Sequence, residues 1–337
     1  MSKNFILIFT LVFLLTAAAV SAAENTVVCG EPEILEDGRL AVDCRPSDEA
    51  AGYAVRRDVF ERLMDVEGRY ELVSETFLDA DGNPVSGPGG FARMTAEYVM
   101  SRGGRVCRYY FTEGDPDNNI CGYTYRYYDA EGQPVLITDG YEGHRYRTAG
   151  GEGFGWLILR GYPFEPGGYA AYTVSMTRTD EGFEHKQTYL GTDGLPVLRQ
   201  GIYASFERIT SARGMEDRYY GTDGGLIDTP LGYARSAEVY TEDLTESVVR
   251  YYAADGSPAV DAGLGVHAIR YVHAGHRKIT RTDYLDVNDE PVNCAKGYAA
   301  IINEYPEQTG DVPSLRSYTP VRTVYLDRDG NEVEITE

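Results

Sequence analysis

Apolar and polar residues alternate along short stretches of this chain, and clusters of turn formers break the alternation at regular distances. From Gly232 onward, Tyr233 to Tyr240 reads as a strand, Thr241 to Thr245 as a turn, and Ser247 to Tyr252 as the return strand. Ala254-Asp255-Gly256 then reads as a tight turn and Pro258-Ala259-Val260 as a short third strand. Period-two alternation bounded by Gly, Asp and Pro is the mark of a half-buried antiparallel strand. In the Asp-Gly step glycine accepts a positive φ while the aspartate side chain bonds the local backbone, which suits a hairpin connection. Proline two residues on has no N–H, so the third strand must end a ladder or lie at an edge. One segment carries a different period: Ser47-Asp48-Glu49 followed by Val55, Val59, Phe60, Leu63 and Met64 on one helical face predicts a short N-terminal helix.

The meander recurs. Phe77-Leu78-Asp79-Ala80-Asp81-Gly82-Asn83-Pro84-Val85 leads to Gly90-Phe91-Ala92, and Tyr127-Tyr128-Asp129-Ala130-Glu131-Gly132-Gln133-Pro134-Val135 leads to Gly140-Tyr141. Further copies begin at Tyr189-Leu190, Tyr219-Tyr220, Tyr251-Tyr252 and Tyr284-Leu285, and a half-unit from Tyr325 to Val333 closes the series. The glycines that precede the second aromatic, 52, 90, 140, 168, 201, 232, 265 and 297, are spaced by 38, 50, 28, 33, 31, 33 and 32 residues. The expected fold is therefore mainly β, an array of antiparallel β-meander repeats of about 32 residues, solenoid-like or extended as a sheet. Residues 161–337 form the regular array, and 24–160 a degenerate N-terminal cap, because a terminal repeat has one face without a neighbour.

Residues 1–23 read as a secretory signal: Lys3, an apolar run from Phe5 to Val20, then Ser21-Ala22-Ala23 as the cleavage region. An uncleaved N-terminal anchor is the alternative, since the run approaches the roughly 20 residues that span a bilayer. Five cysteines suit the oxidising compartment that export implies. Cys29 with Cys44 and Cys107 with Cys121 enclose intervals rich in turn formers and read as disulfide pairs. Cys294 is left over, either a buried thiol or an intermolecular link. No cysteines stand at the two-to-four-residue spacing of a zinc site. The formal net charge of −22, from 53 acidic and 31 basic residues, repels nucleic-acid phosphate and anionic membrane, so no nucleic-acid partner is expected, and no membrane once the signal is cleaved.

The string Arg250-Tyr251-Tyr252-Ala253-Ala254-Asp255-Gly256-Ser257-Pro258, followed by a glycine and aromatic step in its sibling copies, resembles the aromatic hairpin repeats of bacterial cell-wall-binding and glucan-binding modules. The likeness covers roughly residues 160–337, with weaker copies back to 77. The tryptophans of those repeats are absent apart from Trp156, and with them the box of choline-type sites. The Tyr-x-Asp-x-x-Gly turn is also similar to the tyrosine-aspartate repeats of large bacterial surface and toxin-shell proteins, where the strands are structural. Both resemblances imply a bacterial surface or secreted protein.

Catalytic templates are missing: the chain has no Gly-x-Ser-x-Gly elbow, His-Glu-x-x-His pair or phosphate-cradling glycine loop. His267 and His273 share a face of an extended strand while His276 falls on the other, so no metal site is expected there. Asp79-Asp81-Asn83 and Asp327-Asp329-Asn331 imitate the start of a calcium loop, but the same turns recur with Thr or Ala in place of an acid, and they read as plain turns. The candidate functional feature is the tyrosine row. Adjacent tyrosines point to opposite faces, so one of each pair enters a core while the other lines a surface at the repeat spacing. Tyr220, Tyr252, Tyr233 and Tyr298, with Arg218 and Arg250 beside the pairs, are the candidate glycan-binding residues. Packing of both tyrosines across strands is the structural alternative. The expected function is a secreted or cell-surface, non-catalytic repeat protein that needs no cofactor and binds a cell-envelope polysaccharide. The alternatives are a structural or protein-interaction scaffold with another surface protein as partner and, after it, a secreted hydrolase with paired carboxylates.

Overall fold

A computed structural model describes residues 27–46, 51–61, 71–99, 120–138, 146–148, 157–159, 167–180, 182–274, 278–306 and 319–335. Among them there is no α-helix, and each strand pair given below is antiparallel. The expected β-meander is thus the fold. The signal segment, Cys107, Trp156 and His276 lie outside the described residues.

The chain divides into two compact units. The larger comprises Thr26–Val239 and Arg250–Gly263. Its first strands are β1 (Val27–Cys29), β2 (Glu33–Ile34), β3 (Leu40–Pro46), β4 (Val55–Glu61), β5 (Glu71–Leu78), β6 (Arg93–Val99) and β7 (Ile120–Tyr128). A small separate ribbon pairs β8 (Tyr146–Thr148) with β9 (Leu157–Leu159). The series continues with β10 (Ala171–Arg178), β11 (Gly182–Leu190), β12 (Ser205–Ser211), β13 (Gly214–Tyr220) and β14 (Arg235–Tyr240). From β3 each strand pairs with the next in this series, and β7 pairs directly with β10. The looser N-terminal copies and the regular ones are therefore continuous within one sheet. β1 and β2 share one edge of β3, and the Cys29–Cys44 disulfide forms as expected between the paired residues of β1 and β3. Closing a loop of 15 positions contributes about 3 kcal/mol. The partner expected for Cys121 is Cys107, so that second bridge falls outside the described residues.

The smaller unit comprises Tyr240–Val249 and Leu264–Glu337. It contains most of β15 (Glu246–Tyr252), whose last residues belong to the larger unit, and β16 (Ala268–His273), β17 (Ile279–Leu285), β18 (Ala300–Glu304), β19 (Arg322–Leu326) and β20 (Glu332–Val333). β16 to β20 again pair in sequence order. Cys294 is a buried free thiol here, the first of the two states open to it.

Every repeat closes in the same way. The second residue of each hairpin pair bridges the residue two places past the left-handed residue of the turn, as in Leu78 with Pro84, Tyr128 with Pro134, Leu190 with Pro196, Tyr252 with Pro258 and Leu285 with Pro291. The residue after it donates its N–H to the carbonyl of the first aromatic, as Val85 does to Phe77 and Val135 to Tyr127, so the proline sits where the ladder needs no N–H from it, and Leu226 takes the same place opposite Tyr220. The first aromatic then donates its N–H to the alanine of the next copy: Phe77 to Ala92, Tyr127 to Ala170, Tyr189 to Ala204, Tyr219 to Ala234, Tyr284 to Ala299. The Asp79 carboxylate accepts the N–H groups of Asp81 and Asn83 at 2.9 and 2.8 Å, and Asp327 those of Asp329 and Asn331 at 2.9 and 2.8 Å. Their calcium-loop appearance is thus accounted for by the turn.

The helix expected near residues 47–64 is overturned where it can be seen. Val55–Glu61 is strand β4, with Arg56, Asp58 and Phe60 directed inward and Arg57 and Glu61 outward. The reason is physical: two of the inward positions carry charge, so the period of two was hidden from a reading of apolar residues alone. Ser47, Asp48, Glu49, Leu63 and Met64 lie outside the described residues.

Candidate functional site

Alternation along the strands sorts the tyrosine pairs onto two faces, and the faces differ in chemistry. On one face the first aromatic of each hairpin and the aromatic of each glycine step interleave as a continuous ladder. In the larger unit it runs Tyr53, Phe77, Phe91, Tyr127, Tyr169, Tyr189, Tyr203, Tyr219, Tyr233, Tyr251, with successive ring centroids 4.7 to 6.1 Å apart. The smaller unit repeats it as Tyr284, Tyr298 and Tyr325 at 5.6 and 4.8 Å. The rings meet edge-on or tilted, the arrangement their quadrupoles prefer, worth about 0.5–1.5 kcal/mol per pair beyond area burial. Buried hydroxyls need partners, and Arg199 donates to both Tyr189 and Tyr203 at 2.8 and 3.0 Å. Burial pushes the phenols of Tyr219, Tyr233 and Tyr284 well above their ordinary range. Tyr233 and Tyr298, expected to contact glycan, are both buried rungs of this ladder. A ring wedged between two others offers no face to a sugar, so their part is packing.

The second tyrosine of each pair lies on the opposite face. In the larger unit Lys186, Glu207, Arg218 and Arg235 stand in one cross-strand row over β11, β12, β13 and β14, and Tyr220 and Glu216 flank Arg218 along β13. Tyr220 donates its hydroxyl to Glu207 at 2.6 Å, and Lys186 sits over its ring at 5.2 Å. Tyr252 lies under the Arg235 guanidinium at 4.0 Å. Arg218 donates through Nε to Glu216 at 2.7 Å and through Nη1 to Glu207 at 3.3 Å, while Arg235 reaches the same Glu216 oxygen at 3.3 Å. Burial works against the Glu216 charge, but the Arg218 hydrogen bond and the two guanidinium charges prevail and hold its carboxyl below the ordinary value of 4.5. Burial and the bond to Glu207 push the Tyr220 hydroxyl up. Arg250, half-buried on β15, falls two residues before Tyr252 and so on the same side of its strand.

Four of the six expected site residues therefore share a face: Tyr220, Tyr252, Arg218 and Arg250. Lys186, Glu207, Glu216 and Arg235 join them there, unforeseen. Glu216 could have been found by counting back along β13 from Tyr220. The other three are on neighbouring strands, and only register brings them to the row. This face carries hydrogen-bonding donors and acceptors, cations and two flat rings, the chemistry that holds a polar ligand against a sheet.

The wider comparison leaves the reading to this geometry: no protein-family model matches the chain, and no curated protein or solved structure matches it either. Among the described residues no helix is long and apolar enough to cross a membrane.

Proposed function

We propose that this is an exported, non-catalytic repeat protein whose polar sheet face binds a cell-envelope polysaccharide. The observation that carries the reading is the placement of Tyr220 and Tyr252, one from each of two successive repeats, half-exposed on the face away from the ladder amid the Lys186, Arg218 and Arg235 side chains. Sugar rings stack on tyrosine through their C–H faces while their hydroxyls bond charged and polar groups, and weak sites repeated along an array add through avidity. The secretory signal and the Cys29–Cys44 bridge support an exported setting.

Binding to purified peptidoglycan and envelope polysaccharide is expected to weaken about tenfold or more in Tyr220→Ala and Tyr252→Ala, a loss of about 1.4 kcal/mol or more, while circular dichroism and melting stay near wild type. Absence of binding across a glycan array by the wild-type protein would sink the proposal. A scaffold for a protein partner is the second reading, favoured by the cations that cover both rings, since a stacking sugar must displace them. It is expected to yield a specific partner in a crosslinking pull-down with no glycan affinity.

A further inference from the structure

The polar face carries like charges side by side. Across a sheet, like charges directly opposite one another destabilise the pairing, yet Arg218 and Arg235 are register partners on β13 and β14. The conflict is relieved from beneath: one Glu216 oxygen accepts from both guanidinium groups. Glu207 lies between Lys186 and Arg218, one oxygen 3.9 Å from the Lys186 ammonium and the other 3.3 Å from Arg218. The carboxylates are recessed, with side chains 10% exposed for Glu207 and 23% for Glu216, whereas Lys186 is 43%, Arg218 33% and Arg235 30% exposed. In this row the cations are therefore the more exposed charges, on a chain of net charge −22. The smaller unit holds a second case, in which Arg270 and Arg281 grip a buried Asp283 at 2.9 and 2.8 Å while both remain exposed.

We infer that the polysaccharide bound by this face is acidic, its sugar carboxylates taken by Arg218, Arg235 and Lys186. This rests on the glycan-binding reading above and adds the class of glycan. Arginine forks match a carboxylate in two parallel hydrogen bonds. Lys186 and Arg235, which lie over the Tyr220 and Tyr252 rings, leave them to take the sugar carboxylate, and the rings so uncovered stack on the sugar that bears the acid. The overall negative charge does not forbid this. At 0.15 M salt the screening length is about 8 Å, so repulsion from distant carboxylates is damped while contact-range pairing persists.

The test is affinity electrophoresis of the full exported chain in gels of polygalacturonic acid, of the same polymer fully methyl-esterified, and of poly(glycerol phosphate). Retardation is expected in the acid gel and not in the ester gel. Arg218→Gln with Arg235→Gln should weaken it about tenfold or more, the range of one or two charged hydrogen bonds. Lys186→Gln, which alters the most exposed of the three cations, serves as the variant least prone to misfolding and should weaken it in the same direction. Glu216→Gln should tighten it, because it frees both guanidinium groups; a merely structural Glu216 would not. Equal retardation in acid and ester gels, lost in Tyr220→Ala, overturns the acidic assignment and leaves the glycan reading standing. Stronger retardation by poly(glycerol phosphate) overturns the carboxylate assignment. No retardation in any gel, with the wild-type fold intact and no binding on the glycan array, overturns both.

Discussion

At the scale of single residues, glycine and tyrosine each do two jobs that composition alone does not separate. Gly232 and Gly256 are both left-handed, at φ 91° and 85°, but a Cβ on Gly232 would lie 2.3 Å from the Val260 carbonyl oxygen, while one on Gly256 would meet nothing within 4 Å. Gly256→Ala is expected to cost about 1–2 kcal/mol, the strain of a left-handed L-residue. Gly232→Ala should cost more, since backbone as well as φ must give; urea unfolding of the two variants checks the order. Tyr189, wholly buried in the ladder, should lose about 3–5 kcal/mol on change to alanine. A loss under about 1 kcal/mol in the same urea assay would mean that the ladder is not core. By contrast Tyr220→Ala is expected to cost binding and little stability.

At the scale of elements, β4 shows where reading by hydrophobicity fails. Its inward face carries Arg56 and Asp58, and Glu75 of β5 is the register partner of Asp58. Arg56 lies 3.2 Å from Asp58 and 3.9 Å from Glu75. Burial first, and the Glu75 charge with a weaker contribution from Asp43 of β3, raise the Asp58 carboxyl well above its ordinary value, against the pull of Arg56. A folded value above the unfolded one favours the protonated acid in the fold. The stability it contributes is complete below the unfolded value of 3.8 and is lost as pH rises through the folded one. The melting temperature should therefore fall with rising pH above the ordinary aspartate range, and Asp58→Asn should flatten that fall. An unchanged slope in Asp58→Asn would refute the assignment. The hairpins themselves were legible because their signals are local: an aromatic pair, a turn whose aspartate bonds its own loop, and a proline that fits the non-hydrogen-bonded position after the turn. β4 was not, because its two charges are tolerated only by packing across β3 and β5.

At the scale of the molecule, two faces of one sheet divide the work within the larger unit. The ladder face buries aromatic surface in the same manner from repeat to repeat, which explains why the tyrosines recur. The other face is polar, with Lys186, Arg218 and Arg235 more exposed than the carboxylates they bond, set in a chain whose many acidic residues favour solubility and resist edge-to-edge association. Both faces come from one alternating pattern, so changing a tyrosine in the first position of a pair is a test of stability and in the second a test of binding.

The sequence by itself determined the repeat, its β-meander form, the Cys29–Cys44 pairing and the rule that paired tyrosines part to opposite faces, because each depends on contacts between residues near in the chain. Only the tertiary structure decided that Tyr233 and Tyr298 are rungs of a buried ladder, that residues 55–61 are strand, and that Lys186, Glu207 and Arg235 stand beside Arg218. Those facts depend on register between strands and on which face is covered, and neither is written in the spacing of one strand alone.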